Sequence, residues 1–354
     1  MKALVTGHLG YIGSVMVPML EAEGVTVTGL DSGLFADCLF GDPPPSVPAL
    51  LKDVRDVDAA DLEGFDAVIH LAALSNDPLG NINPEHTYGI NHLASVRLSR
   101  LAKQAGVPRF LFASSCSLYG VAGDAILTEE AAFHPITPYG ESKVRVEREV
   151  ARLADDRFSP TFLRNATAYG VSPRLRADVV VNNLVGVAFT TGEVLVQSDG
   201  TPWRPLVHVE DIARAFIAVL RAPRELIHNE AFNVGRSQEN YRVRELADLV
   251  QEVVPGSRVR YVEGGGPDLR CYRVDCDKLA RLLPTFRPQW TVRGGMEQLY
   301  DAFRRHELTR EAFTNTYVRI QHLLKLQREG QLDDSLRWRN ATAQRRRAGA
   351  SGLA

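Results

Sequence analysis

The feature that most constrains this chain lies near its start. Gly7-His8-Leu9-Gly10-Tyr11-Ile12-Gly13 sets three glycines at a three-residue interval, directly after the apolar run Ala3 to Thr6 and at the opening of an amphipathic stretch from Ile12 to Glu23. A strand that turns into a helix through glycines lets backbone N–H groups approach a pyrophosphate, since no Cβ stands in the way and the helix N-terminus favours negative charge. Without a ligand, the same residues would be a tight strand-to-helix turn and nothing more.

The rest of the first half repeats the alternation. Short apolar runs at Val25 to Leu30, Ala67 to Leu71, Phe110 to Ala113 and Thr161 to Leu163 are separated by helix-like stretches at Pro84 to Gln104 and Pro138 to Leu153. That order predicts an α/β chain: a doubly wound parallel sheet of Rossmann type with helices on both faces. Gly33 to Pro48, with four prolines, reads as a rigid surface loop that shapes a rim. After Leu163 the alternation weakens, and helices return at Asp211 to Leu220 and Arg244 to Val254. The expected division is a cofactor domain of residues 1–165 with 206–235, a smaller interleaved α/β substrate lobe of 166–205 with 236–308, and a C-terminal extension of 309–354. In that extension Tyr317 to Arg328 is amphipathic, and the tail beyond Arg345-Arg346-Arg347 is expected to be disordered.

Charge limits the partners. With 41 Lys plus Arg against 43 Asp plus Glu, the net charge of −2 supplies no broad cationic field for nucleic acid or anionic lipid, so an anionic ligand must be held locally. No apolar run approaches the ~20 residues that cross a bilayer, and no secretory leader pattern is seen, so a cytoplasmic protein without membrane contact is expected. Cys38, Cys116, Cys271 and Cys276 lack metal-ligand spacing and are expected as reduced thiols, with no metal site.

Two further groups carry chemistry. Asp31 ends the second strand, about 20 residues past the glycines, where a carboxylate accepts both hydroxyls of an adenosine ribose and repels a 2′-phosphate, which favours NAD over NADP; the plainer alternative is a cap on the next turn. Asp53 could accept from the adenine amino group while Asp56 caps the following segment, or both are solvated loop acids. Tyr139 and Lys143 stand four residues apart on one helix face behind Pro138, so a fixed ammonium can lower the phenol below its ordinary ~10 and let it act as a base; taken alone, the pair is more simply two residues of a surface helix. Upstream, the strand at Phe110 empties into Ser114-Ser115-Cys116-Ser117-Leu118-Tyr119-Gly120 at the carboxyl edge of the sheet, where open α/β folds bind ligands.

With these motifs in place, residues 1 to about 305 resemble the extended short-chain dehydrogenase/reductase superfamily, in its nucleotide-sugar epimerase and dehydratase branch. The resemblance rests on the glycine turn, His70-Leu71-Ala72-Ala73, Asn91, Ser114 to Gly120, Tyr139 to Lys143, and Arg204-Pro205-Leu206-Val207-His208-Val209 with Asp211. It implies Ser115, Tyr139 and Lys143 as catalytic residues. It implies an NAD site of Gly7, Gly10, Tyr11, Ile12, Gly13, Asp31, Asp53, Val54, Leu71, Ala72, Ala73, Asn91, Ser114, Tyr139 and Lys143, with Asn91 supporting the active-site helix. Ser75, Ser115, Cys116, Ser117, Thr167, Asn183, Arg204 and Arg270 would face a nucleotide-diphosphate sugar, Arg204 clamping its pyrophosphate and Arg270 or Arg273 replacing a displaced second arginine. A homodimer is implied as well.

Within the branch, dehydratases carry an acidic pair where this chain has Cys116-Ser117. A thiol here is either a small packing residue or, with a shifted pKa, an acid or base. The missing carboxylate favours an epimerase that transiently oxidises a sugar carbon, C4 in the first instance. A 4-ketoreductase, a dehydratase and a C3/C5 epimerase are the alternatives, and more remotely a non-catalytic NAD sensor whose Tyr317 to Arg328 helix binds a partner.

Overall fold

A computed structural model of the chain describes residues 1–75, 83–262, 271–342 and 344–345. Its strands are β1 (Lys2–Thr6), β2 (Thr26–Asp31), β3 (Ala49–Leu51), β4 (Ala67–His70), β5 (Arg109–Ser115), β6 (Val121–Leu127) and β7 (Ser159–Asn165). They continue with β8 (Thr167–Tyr169), β9 (Glu193–Val196), β10 (Trp203–His208), β11 (Glu230–Val234), β12 (Asn240–Arg242), β13 (Arg258–Tyr261) and β14 (Cys271–Val274).

Seven strands form one sheet in the order β11-β7-β5-β4-β1-β2-β3, and every pairing in it is parallel. The chain leaves β1 for β2 and β3 on one side, then returns to β4 and runs outward through β5, β7 and β11 on the other. The crevice between the carboxyl ends of β1 and β4 is therefore the topological switch point, the place where this class of sheet takes a ligand. Helices Gly13–Ala22, Ala94–Gln104, Pro138–Ala151 and Val209–Arg221 cover the faces, which is why the strands are apolar on both sides. Buried His70 pins the crevice from below: its ring nitrogens meet Thr6 Oγ1 at 2.6 Å and Ser95 Oγ at 2.7 Å, and burial, with Lys143 nearby, depresses its pKa to about 3.

Two elements differ from the sequence expectation for physical reasons. The helix expected over Pro84 to Gln104 is interrupted by a π-turn at Tyr88–Leu93, which brings Asn91 inward. Gly33 to Pro48 forms neither helix nor strand, yet it is not a surface loop throughout: Leu34, Ala36, Cys38, Phe40 and Val47 are buried.

The cover over that loop comes from the far end of the chain. The Phe40 ring packs edge-on against Phe303 and Tyr317, with centroids 5.7 Å away in each case. Helix Arg319–Arg328 lays its buried face, Arg319, His322, Leu323 and Leu326, on this side of the molecule. That packing consumes the apolar face which a partner-binding sensor would need. The tail beyond Arg345 lies outside the described residues.

The remaining strands make three small sheets, β12-β10-β8, β13-β9 and β14-β6. The first two meet helices Val180–Thr191, Val243–Val253 and Val292–Arg305 in a second core that includes Val185, Leu246, Val250, Leu299 and Phe303, while β14-β6 packs with Leu118, Tyr119 and Val144. The Arg204-to-Asp211 motif serves this junction. Asp211 accepts from the backbone N–H groups of Gln289 and Trp290, at 2.9 and 3.0 Å, and His208 stacks on Trp290 at 4.1 Å. Among the described residues, no helix is long and apolar enough to cross a membrane.

Candidate active site

The floor of the site is made of backbone. Gly7 adopts φ +74°, and a Cβ there would lie 2.8 Å from Ala72 N; a Cβ on Gly13 would collide with the Gly7 carbonyl oxygen. The turn thus fits against both its own chain and the loop after β4, which explains the three-residue glycine interval. Asp31 is held at its edge by Leu9 N–H (3.1 Å to Oδ2) and Gly33 N–H (2.8 Å to Oδ1), leaving lone pairs on each oxygen for a diol. Tyr11 ties the turn to the second lobe, its hydroxyl donating to Gly170 O at 2.7 Å and accepting from Asn182 Nδ2 at 3.2 Å. Burial pushes that phenol far up, so it stays neutral.

A cleft of about 570 Å³ runs from this turn to the second lobe, within the usual size of a small-molecule site. Gly7, Gly10, Tyr11, Ile12, Gly13, Asp31, Asp53, Val54 and Leu71 to Ala73 line one end; Ser75, Thr167, Asn183 and Arg204 line the other. Ser114, Ser115, Ser117, Tyr139 and Lys143 lie on the same wall system. A glycine cradle, a diol-accepting carboxylate and an elongated cleft fit a dinucleotide.

Helix Pro138–Ala151 starts cleanly because Pro138 occupies its first position and Thr137 Oγ1 accepts from Gly140 N–H at 3.1 Å. Tyr139 is half-buried beside Lys143, whose Nζ lies 5.6 Å from the Tyr139 ring centroid. Lys143 is buried and donates to Ala113 O at 2.6 Å; burial lowers its pKa to about 7, with Glu147 acting in the opposite sense. Ser115 Oγ accepts from Ser117 N–H at 3.2 Å and Ser117 Oγ at 2.9 Å, so its own O–H remains available to donate.

Several expected roles are corrected by the contacts. Cys116 is 1% exposed and does not line the cleft; its Sγ donates to Arg164 O at 3.1 Å and burial drives the thiol pKa well up, making it a packing residue. Asn91 does not line the cleft either. Its side chain accepts from Leu74 N–H at 2.8 Å and donates to Leu74 O at 3.0 Å, so it braces the loop after β4 rather than the active-site helix.

Ser114 borders the cleft, but its hydroxyl is turned to Glu147 Oε1 at 2.5 Å. Asp53 is gripped by Arg55 through Oδ2 at 2.6 Å and Oδ1 at 2.9 Å, while Asp56 pairs with Arg337 at 2.5 Å instead of capping the next segment. Arg270 lies outside the described residues. Arg273 places its guanidinium 4.8 Å from the Trp203 ring and is not among the lining residues.

Several lining residues escaped the sequence reading, and four of them are charged: Lys52, Arg176, Asp178 and Arg319. Arg176 pairs with Asp178 at 2.9 Å and donates to Ser75 Oγ at 2.9 Å and Ser75 O at 3.0 Å, bridging the two lobes across the cleft. Its only sequence signal was an arginine-rich loop, Ser172 to Asp178, whose charges could equally have been solvated.

A family model described as the NAD dependent epimerase/dehydratase family matches residues 3–235. The UDP-glucose 4-epimerase of Lactobacillus helveticus is 30% identical over 292 residues, covering 76% of this chain and 87% of that protein. Among solved structures, MoeE5 in complex with UDP-glucose and NAD is 29% identical with a TM-score of 0.75, covering 87% of this chain and 100% of that one. TunA, an NAD dependent NDP-hexosamine 5,6-dehydratase involved in tunicamycin biosynthesis, is 25% identical with a TM-score of 0.77, covering 86% and 98%.

Proposed function

The chain belongs to the NAD dependent epimerase/dehydratase family, and from that premise we propose that it is an NAD-dependent epimerase acting at C4 of a nucleotide-diphosphate sugar. The observation that carries the choice is the state of the acids in the cleft. Among the described lining residues the carboxylates are Asp31, Asp53 and Asp178, and each is already engaged: by backbone N–H groups, by Arg55 and by Arg176. With Cys116 buried outside the cleft, none of these groups is placed to expel a hydroxyl, as dehydration requires.

NAD, held by the glycine turn and Asp31, would supply the hydride acceptor and donor for the sugar carbon. The chain's own residues do the proton work. Tyr139 takes the hydroxyl proton and gives one back after the keto sugar has turned over, Ser115 donates a hydrogen bond to the reacting oxygen, and Lys143, when protonated, places positive charge near the phenol. No net redox results. Arg204, buried at 7% exposure on β10, supplies the cation for the substrate's diphosphate, and the lobe formed by 166–205 with 236–308 holds the sugar.

The reading includes a cytoplasmic homodimer, for which Leu93, 61% exposed beside helix Pro138–Ala151, offers an apolar centre. Incubation of the purified chain with UDP-glucose, without added reductant, is expected to yield the 4-epimer by anion-exchange chromatography. Formation of a deoxy keto sugar, or turnover that requires stoichiometric NADH, would replace this reading with a dehydratase or a 4-ketoreductase.

A further inference from the structure

The positive charge around the glycine turn exceeds what the described contacts neutralise. Arg174 is fully buried and Arg319 is 4% exposed. Among the described residues, Arg174 Nε and Nη2 and Arg319 Nη1 find no hydrogen-bond partner. Arg319 Nη2 donates to Arg174 O at 2.7 Å, and its guanidinium lies 4.3 Å from the Phe35 ring centroid. Asp178, the acid nearest in sequence to Arg174, is paired with Arg176, although its charge also reaches Arg319. Buried guanidinium groups with unmet donors are costly unless an anion joins them.

The position of Arg319 says which anion. It lines the cleft together with Tyr11, Ile12, Leu34 and Phe35, residues of the glycine turn and of the loop after β2, whereas Arg204 lies on β10. Arg319 also opens the ten-residue helix Arg319–Arg328, whose first N–H groups have no side-chain cap. The segment is fastened over the cofactor end of the cleft by Tyr317 Oη to Leu39 O (2.9 Å), His322 Nε2 to Leu34 O (3.0 Å) and Trp338 Nε1 to Ser32 O (2.7 Å). Tyr317, Arg319, His322 and Trp338 all lie beyond residues 3–235, the span that the family match covers.

We propose that the C-terminal extension completes the NAD site, with Arg319 as a cationic contact for the dinucleotide's own diphosphate and the Arg174 carbonyl holding it in place. The inference rests on NAD as cofactor. The glycine turn supplies N–H donors from below, and Arg319 supplies a charged fork from above, so the diphosphate is enclosed by parts of the chain about three hundred residues apart.

Isothermal titration of ADP-ribose and of adenosine into the nucleotide-stripped full chain tests this, with Arg319→Met and Arg319→Lys beside the wild type. Loss of one charge-assisted contact is expected to weaken ADP-ribose about 10- to 100-fold in Arg319→Met and about 3- to 10-fold in Arg319→Lys, which keeps the charge but not the fork. Adenosine, which has no phosphate, is expected to bind all three within about twofold. Unchanged ADP-ribose binding would overturn the proposal, and so would equal losses for both ligands, which would mark Arg319 as packing alone. Should Arg319→Met fail to fold by circular dichroism, the same two outcomes in Arg319→Lys decide. Failure of the wild type to bind ADP-ribose at all would remove the NAD reading itself and the proposal with it.

Discussion

The two walls of the cofactor cleft are built by opposite means. The floor is backbone: Gly7, Gly10 and Gly13 at the end of β1, packed so closely on Gly7 O and Ala72 N that no side chain is admitted. The roof is side chain: Tyr11, Arg176 and Arg319, brought from the turn, the second lobe and the C-terminal extension by long-range hydrogen bonds. A backbone site depends on residues that lack something, and it tolerates little. A side-chain site depends on placement, and its parts can fail singly.

The sharpest break comes from the floor. Gly13→Val drives a branched side chain into Gly7 O and the His8 backbone, and the purified protein is expected to carry no NAD when extracted nucleotide is quantified by chromatography. Retained NAD would show that the turn is not the cradle. Tyr139→Phe comes next. It removes one oxygen from the wall between floor and roof, so kcat is expected to fall about 10² to 10⁴-fold while NAD content is unchanged. A fall in both would mean that Tyr139 holds the cofactor instead.

Lys143 sharpens the comparison through pH. Burial depresses its pKa to about 7 in the folded protein, against 10.5 when solvated. Between those values the unfolded chain binds the extra proton, so stability rises as pH rises through the window, by at most ~1.4 kcal/mol per pH unit. Urea midpoints of the nucleotide-free protein measured from pH 7 to 9 are expected to climb more steeply than those of Lys143→Met. Parallel curves would place Lys143 in solvent. The smallest effect is expected at Cys116, where serine keeps a donor toward Arg164 O: Cys116→Ser is expected to cost about 1 kcal/mol of stability and to leave kcat within about threefold. A large loss of kcat would return the thiol to the chemistry.

The same contrast explains what could be read before the structure. The glycine turn, Asp31, and Tyr139 with Lys143 were legible because each is a local pattern whose spacing follows from strand, turn or helix geometry. The strands β1, β2, β4, β5 and β7 were legible for the same reason. β3 is three residues, too short to show a period, and β11 mixes Glu230 and Asn233 into its apolar run. Arg319 was out of reach: an arginine opening an amphipathic segment near the chain's end looks like any solvated charge until the loop Gly33 to Pro48 is seen packed beneath it. Asn91 was placed in the right neighbourhood with the wrong partner, because the π-turn that rotates it toward Leu74 leaves no trace in hydrophobic periodicity.

The central claim is that hydrogen leaves and returns to the same sugar carbon, the carboxylates among the described lining residues being already engaged and not placed to drive elimination. Its most direct test is turnover of UDP-[4-²H]glucose in ordinary water, and of the unlabelled sugar in deuterated water, with the product read by nuclear magnetic resonance. The account predicts deuterium kept at C4 in the first case and no carbon-bound deuterium in the second. Deuterium displaced from C4 to C6, or taken from solvent at C5 or C3, would contradict it.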